Sequence, residues 1–312
     1  MSSTVAQAFS TQHLNQIVND ANQVIVGKNR QIKLALSCLL SKGHLLIEDI
    51  PGVGKTTLAH LLAAITGMQF SRIQFTSDLL PADVTGISLF EKDTNRFRFH
   101  PGPIFSQLVL ADELNRAPAK TQSALLEVME EHQISVDGET HRLPEPFFVI
   151  ATQNPKEQVG TYGLPESQLD RFLMRIQLGY PDRETEREIF KGEDRREMIN
   201  KMKAVISPEQ LVDWQNQVSQ THVSDSLLDY VQDIIDFSRE SGHFRNGLSP
   251  RAGLALVHAA KAWAYIEQRD IVLPEDVKQV LPAVVTHRLQ VREEASLEEP
   301  DIIKLFSQLS VI

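Results

Sequence analysis

The chain has 312 residues, 42% of them hydrophobic, enough for one large domain or two of ordinary size with a substantial core. Acidic residues outnumber lysine plus arginine, 31 − 41 giving a net charge of −10, which argues against a general attraction to nucleic acid or an anionic membrane. No run approaches the roughly 18 apolar residues of a membrane span, and "MSSTVAQAFSTQHLNQ" lacks the basic start and apolar centre of a secretory leader, so the expected location is the cytoplasm.

In chain order, "KNRQIKLALSCLLSKG" has helical apolar spacing, which puts the single Cys38 in the core and leaves no disulfide framework. Short apolar runs then alternate with longer helix-period segments, the pattern of a parallel α/β sheet. Strands are predicted at 44–48, 70–75, 108–112, 147–152 and 174–179. "KTTLAHLLAAITG" forms a helix after the first strand and stops at Gly67. "KTQSALLEVMEEH" forms another after the third, with Ala124, Leu125, Val128 and Met129 on one face. Two segments read as inserted hairpins: 87–99 alternates on both sides of a polar turn, and 134–143 turns at Asp137-Gly138. Either could be plain decoration of a surface loop.

Strand signals vanish after "GYPDRETER" (179–187). Ser207, Pro208 and Gln210 read as N-cap, first helical position and the close of a capping box. Amphipathic helices follow at 224–241, 249–268 and 273–289. The expected division is an α/β unit over 1–180 and a smaller all-helical unit over 184–312.

The chemistry concentrates at strand ends. "EDIPGVGKTT" follows an apolar strand and opens a helix, so unpaired N–H groups and the positive dipole end face one point. Gly52 and Gly54 allow the close turn, Lys55 would reach the β- and γ-phosphates, and the Thr56 hydroxyl would meet Mg²⁺. The first glycine of the phosphate-loop pattern is missing, because Asp49 stands there. A carboxylate near phosphate is unfavourable unless it points away, so a chance Gly-Lys-Thr stays open on this segment alone. "LVLADE" then ends a buried strand in Asp112-Glu113, 57 residues beyond Lys55. Such a pair supplies an Mg²⁺ ligand and a carboxylate to polarise an attacking water, although adjacent acids are often just solvated. Asn154 ends the next strand, where a neutral amide could hold that water or touch the γ-phosphate; a turn before Pro155 is the bland reading. Arg171 could serve a neighbouring copy's γ-phosphate, or pair with Asp170 or Glu166. Arg251, on the first turn of a helix, could close onto nucleotide or simply lie exposed.

Together, "LVLADELNRAPAKTQSALLEVMEEHQISVDG" and "GLPESQLDRFLMRI" resemble the MoxR family of AAA+ ATPases, and the resemblance runs from "VIVGKNRQI" to "LSPRAGLAL" and beyond. It implies a P-loop α/β core, with a helix-2 insert within about 76–103 and a pre-sensor-1 hairpin at about 134–143, followed by a helical lid. It also implies ATP and Mg²⁺. Pro51, Gly52, Val53, Gly54, Lys55, Thr56 and Thr57 would be the Walker A loop, with Thr56 and Asp112 toward the metal. Asp112 and Glu113 would be Walker B, Asn154 sensor 1, Arg171 the arginine finger and Arg251 sensor 2. Val26 and Gly27 match the stretch bordering the adenine. The implied assembly is a ring, a hexamer, that remodels client proteins, often with partners carrying a von Willebrand factor A domain.

Two rivals remain at this point. A DNA-translocating motor shares such hairpins, but Asp137, Glu139 and Arg142 in one, and Glu91 and Asp93 against Lys92, Arg96 and Arg98 in the other, are not the basic loops that phosphate tracking needs. A nucleotide-gated scaffold without turnover is opposed by the intact Glu113 and Arg171. The ten histidines show no metal-ligand spacing.

Overall fold

Residues 2–93, 95–154, 163–295 and 297–309 are described by the structure, a computed structural model; Pro155 lies outside them. The described residues form nine strands: β1 (Leu45–Glu48), β2 (Phe70–Gln74), β3 (Gly86–Glu91), β4 (Arg96–Pro101), β5 (Leu108–Asp112), β6 (Gln133–Val136), β7 (Glu139–Arg142), β8 (Phe148–Gln153) and β9 (Met174–Ile176). Five of them form one parallel sheet in the order β2-β5-β8-β1-β9. The five are the five predicted strands, with no end shifted by more than three residues.

Alternation along each strand divides the core between the two faces of the sheet. Leu45, Ile47, Leu110, Ile150 and Met174 share one apolar cluster with Leu58 and Leu62 of the helix Lys55–Thr66. Leu46, Val109, Ala111 and Val149 share the other with Leu125, Leu126 and Met129 of the helix Ala119–Glu131. β5 and β8 are buried throughout, which explains their unbroken apolar runs. Each such Leu, Ile or Val contributes about 1.5–3 kcal/mol by leaving water. Gly67 ends its helix as expected, at φ 65°.

Both hairpins form outside the sheet, as β3–β4 and β6–β7, the latter turning at Asp137-Gly138 with both φ values positive. They touch: the Phe99 ring stacks on His141 at 4.1 Å. Ile134 and Val136 pack into the second core cluster, so the shorter hairpin's apolar residues are structural rather than exposed. The longer hairpin differs, leaving Ile87, Leu89, Phe90 and Phe97 in solvent.

Beyond β9 the described residues are helical apart from isolated bridges. Ser207 and Gln210 form the expected capping box at 2.9 and 3.3 Å. The helical part is not a free-standing unit. Its helix Pro250–Ile266 packs on the helix Asn29–Leu40, and the first apolar cluster runs continuously from Leu36 and Cys38 to Leu256 and Ala260. The N-terminal helix Ser2–Val24, which the sequence pattern left unassigned, joins that cluster through Leu14, Ile17 and Ala21. No described helix is long and apolar enough to cross a membrane.

Candidate active site

The chain steps from β1 to the β2 edge, returns through β5 and β8, and then crosses β1 to reach β9. The direction of winding reverses beside β1, and the crevice outside the carboxyl ends of strands at such a point is where α/β sheets bind ligands. The loop after β1 sits there. Gly52 and Gly54 have φ of 86° and 97°, and a Cβ at either would meet nothing within 4 Å. Glycine is therefore required by the backbone conformation, not by crowding. Lys55 begins the helix and is buried, with its ammonium donating to the Asp49 carbonyl and, at 3.2 Å, to Asn154 Oδ1. Burial pushes that ammonium down, while Asp49, Asp112 and Glu113 pull it back up.

Asp49 resolves the departure from the phosphate-loop pattern. Its Oδ2 accepts the backbone N–H groups of Leu178 and Gly179 at 2.6 and 2.7 Å, and its Oδ1 accepts that of Ile50 at 2.8 Å. The carboxylate is turned to the chain leaving β9, which supplies two of the three N–H groups that satisfy it. Only its carbonyl is offered to Lys55.

The carboxylate pair after β5 is held from three sides. Thr152 Oγ1 donates to Asp112 Oδ1 at 2.6 Å and accepts the Glu113 N–H at 2.9 Å. Arg72 donates to Asp112 Oδ2 through Nη2 at 2.7 Å and Nε at 3.1 Å. Glu113 occupies the left-handed region at φ 57°, a conformation that costs a non-glycine residue about 1–3 kcal/mol and that gathers at functional sites. Its Oε1 accepts Asn154 Nδ2 at 3.1 Å, and its Oε2 accepts Gln74 Nε2 at 2.9 Å and lies 3.2 Å from Arg116 Nε. Asn154 is buried and joins Lys55 to Glu113, while Asn115 Nδ2 donates to its carbonyl at 3.2 Å.

Val26 and Gly27 lead into contacts with the segment 180–185. Lys28 Nζ donates to the Tyr180 carbonyl at 2.9 Å, and a Cβ on Gly27 would lie 3.1 Å from Thr185 Oγ1. Thr56 and Thr57 stand half-buried on the first turn beyond Lys55. For a magnesium ion, the Thr56 hydroxyl and the Asp112 carboxylate are the hard oxygen donors that this metal takes from protein while phosphates and water complete its shell. Arg72 already holds one Asp112 oxygen as a cation, so the donor set fits. Among the described residues no cluster of three or more histidine, cysteine or acidic side chains offers a self-contained metal site.

The two arginines lie elsewhere. Arg171 Nη2 is 3.0 Å from Glu130 Oε2, and Arg251 Nη1 is 3.3 Å from Glu130 Oε1. They border a cavity of about 320 Å³ that is also lined by Gly43, His44 and Leu173. Those residues immediately precede β1 and β9, so the cavity is at the amino end of the sheet, whereas the phosphate loop follows the carboxyl end of β1. Four residues of strand separate the two ends by about 13 Å. Arg251 is thus not closed over its own chain's phosphate loop. It sits beside Arg171, on the far end of the sheet. Asp170, one of the partners considered for Arg171, is taken by Arg288 at 2.7 Å.

Sequence reasoning missed Arg72, Gln74, Thr152 and Glu130. The first two lie on the edge strand, and only the register Gln74↔Asp112 brings them to the carboxylates. Glu130 did carry a signal, because a carboxylate in the last turn of a helix opposes the helix dipole.

A phosphate loop after an inner strand, a carboxylate pair after its neighbour but one, and a helical unit packed alongside define an AAA+ ATPase. Residues 44–174 match the family described as "ATPase family associated with various cellular activities (AAA)", and 237–304 match "AAA lid domain". The chain is 45% identical over 285 residues to YeaC of Bacillus subtilis, covering 91% of this chain and 89% of that one. It is 40% identical over 308 residues to the chaperone MoxR1 of Mycobacterium tuberculosis, covering 93% and 79%. A crystal structure of a Cytophaga hutchinsonii protein superposes with a TM-score of 0.90 at 35% identity, covering 99% and 97%. The chain belongs to the MoxR family of AAA+ ATPases, and it binds and hydrolyses ATP.

Proposed function

We propose that this ATPase works as a ring, a hexamer in the cytoplasm, that hydrolyses Mg-ATP between adjacent copies and uses the cycle to remodel or activate a client protein complex. The observation that carries the catalytic half is the Asn154 bridge, with Lys55 on one side and Glu113 on the other. A buried cation and a carboxylate flank one neutral amide there, which supports assigning them to the γ-phosphate and the attacking water. In this reading Pro51–Thr57 cradle the phosphates and Val26 and Gly27 border the adenine. Thr56 and Asp112 hold magnesium, which when bound neutralises charge on the phosphates. Glu113 takes the water's proton, and Arg171 and Arg251 reach the nucleotide of the adjoining copy. The α/β unit over 1–180 supplies the loop and the acids, and the helical lid over 184–312 supplies Arg251.

The client half rests on the β3–β4 hairpin. Phe97 is 72% exposed and meets Phe90 edge-on at 5.3 Å, with Ile87 and Leu89 exposed nearby. An inserted hairpin that leaves this much apolar surface in water serves contact rather than stability. Arg98 on the same hairpin is paired with Glu91 at 3.3 Å, which favours a protein client over a phosphate backbone. The name of the mycobacterial relative, a chaperone, supports the same reading. A protein with a von Willebrand factor A domain is the first candidate.

The test is affinity capture from nuclease-treated lysate with Glu113→Gln, which should retain a protein partner in ATP and release it in ADP. Retention of nucleic acid alone in a parallel capture without nuclease would hand the role to a DNA motor. Equal retention in both nucleotides would end the nucleotide-gated client.

A further inference from the structure

Glu130 is an odd residue for its place. It lies in the last turn of the helix Ala119–Glu131, next to Glu131 and with no basic residue in that turn. Carboxylates there oppose the helix dipole by about 0.3–1 kcal/mol each. Its ion pairs do not repay much in stability either. The side chains of Glu130, Arg171 and Arg251 are 40%, 30% and 48% exposed, and pairs so open to water contribute about 0–1 kcal/mol.

What Glu130 does do is geometric. Its two oxygens take one guanidinium each, Arg171 at 3.0 Å and Arg251 at 3.3 Å, one from the α/β part and one from the helical part. Without a shared anion, two guanidiniums this close repel and swing apart. Asp170 is the weaker partner, since Arg288 holds its Oδ1 at 2.7 Å and its Oδ2 meets Arg251 Nε only at 3.9 Å. The Glu130 backbone is itself pinned. His44 Nδ1 accepts the Val149 N–H at 3.0 Å, so Nε2 carries the proton and donates to the Met129 carbonyl at 3.1 Å, one residue before Glu130. A buried ring thus ties the end of the helix to the amino end of β8.

We propose that Glu130 is a positioning residue that gathers Arg171 and Arg251 around a single anion, setting their spacing so that both can engage one phosphoryl group of the neighbouring copy. Arg171, Arg251 and Arg288 against Glu130 and Asp170 leave one positive charge unbalanced among these five at the cavity rim, so an incoming phosphate bearing more than one negative charge is the stronger partner. The proposal rests on the reading of both arginines as acting across a subunit boundary.

The experiment measures steady-state hydrolysis and nucleotide affinity for Glu130→Gln, which keeps size and loses charge. The expected result is a fall in kcat of about ten- to a hundredfold with KM for ATP changed less than about threefold, because orientation is lost while the binding loop is untouched. Glu130→Asp should recover part of the rate. In an Arg171→Ala/Arg251→Ala background, Glu130→Gln should cause no further loss, since it acts only through the two arginines. Unchanged or increased kcat in the single variant would overturn the proposal, as would a further loss in the double-arginine background. If Arg171→Ala alone retains full turnover, the subunit-boundary reading fails and the proposal falls with it, a result seen without any change at Glu130.

Discussion

The two ends of the parallel sheet are chemical opposites. The carboxyl end presents Asp112, Glu113 and one buried cation, Lys55, all locked to one another through Thr152 and Asn154. The amino end presents Arg171, Arg251 and Arg288 against Glu130 and Asp170. On the proposed reading, one end receives a phosphate chain with a metal and the other offers guanidiniums to an anion. About 13 Å of strand separates them, so neither end completes the other in the same copy. Two copies placed head to tail would bring unlike ends together. Such heterologous contacts close into rings when the rotation allows.

The largest effect should come from removing the cationic end. Arg171→Ala should bind ATP and lose about 10³–10⁵ in turnover, the usual worth of an arginine finger in trans. Mixing it with Lys55→Ala should restore part of the activity, since some interfaces then pair an intact loop with an intact arginine. Demonstrably mixed oligomers that stay inactive would break the comparison. At the other end, Glu113→Gln should leave nucleotide affinity nearly unchanged and slow hydrolysis by at least about a hundredfold. Its loss should be confined to its own copy's site, so mixing with Arg171→Ala should rescue in the same way as Lys55→Ala.

The two ends also differed in how well the sequence exposed them. The carboxyl end was legible because its residues are close in sequence to the elements that place them. Lys55 follows β1, Asp112 ends β5 and Asn154 directly follows β8, each after an apolar run that marks the strand. Its exception, Asp49, could not be judged, because its carboxylate is satisfied by N–H groups of Leu178 and Gly179, 129 and 130 residues away. The amino end was readable only as separate arginines. That Arg171 and Arg251 share Glu130 depends on how the helical part docks on the sheet, and no local pattern encodes that docking. The fold itself was mostly visible in alternation and spacing. The N-terminal helix was not, having little apolar contrast along its length.

The smallest effect should separate the ends by acidity. Ion pairs lie at both ends, but the amino end is in addition tied to the helix Ala119–Glu131 by a neutral imidazole. Burial pushes His44 down to about 4, with nearby His132 acting in the same direction and the Met129 carbonyl opposing. In the unfolded chain a histidine titrates near 6.5. Between these two values the unfolded state binds more protons than the folded one, so stability falls as pH falls through that window and levels off below about 4. For His44 alone the loss between pH 7 and pH 5 is about 2 kcal/mol. His287, buried and pushed down in the same way, adds to it in the same direction. Urea unfolding at the two pH values should show the drop in the wild type. His44→Gln, which keeps a donor and an acceptor but cannot be protonated, should flatten it without abolishing it. An unchanged drop in that variant would mean that the His44 clamp does not make the amino end acid-sensitive, and this difference between the two ends would fail.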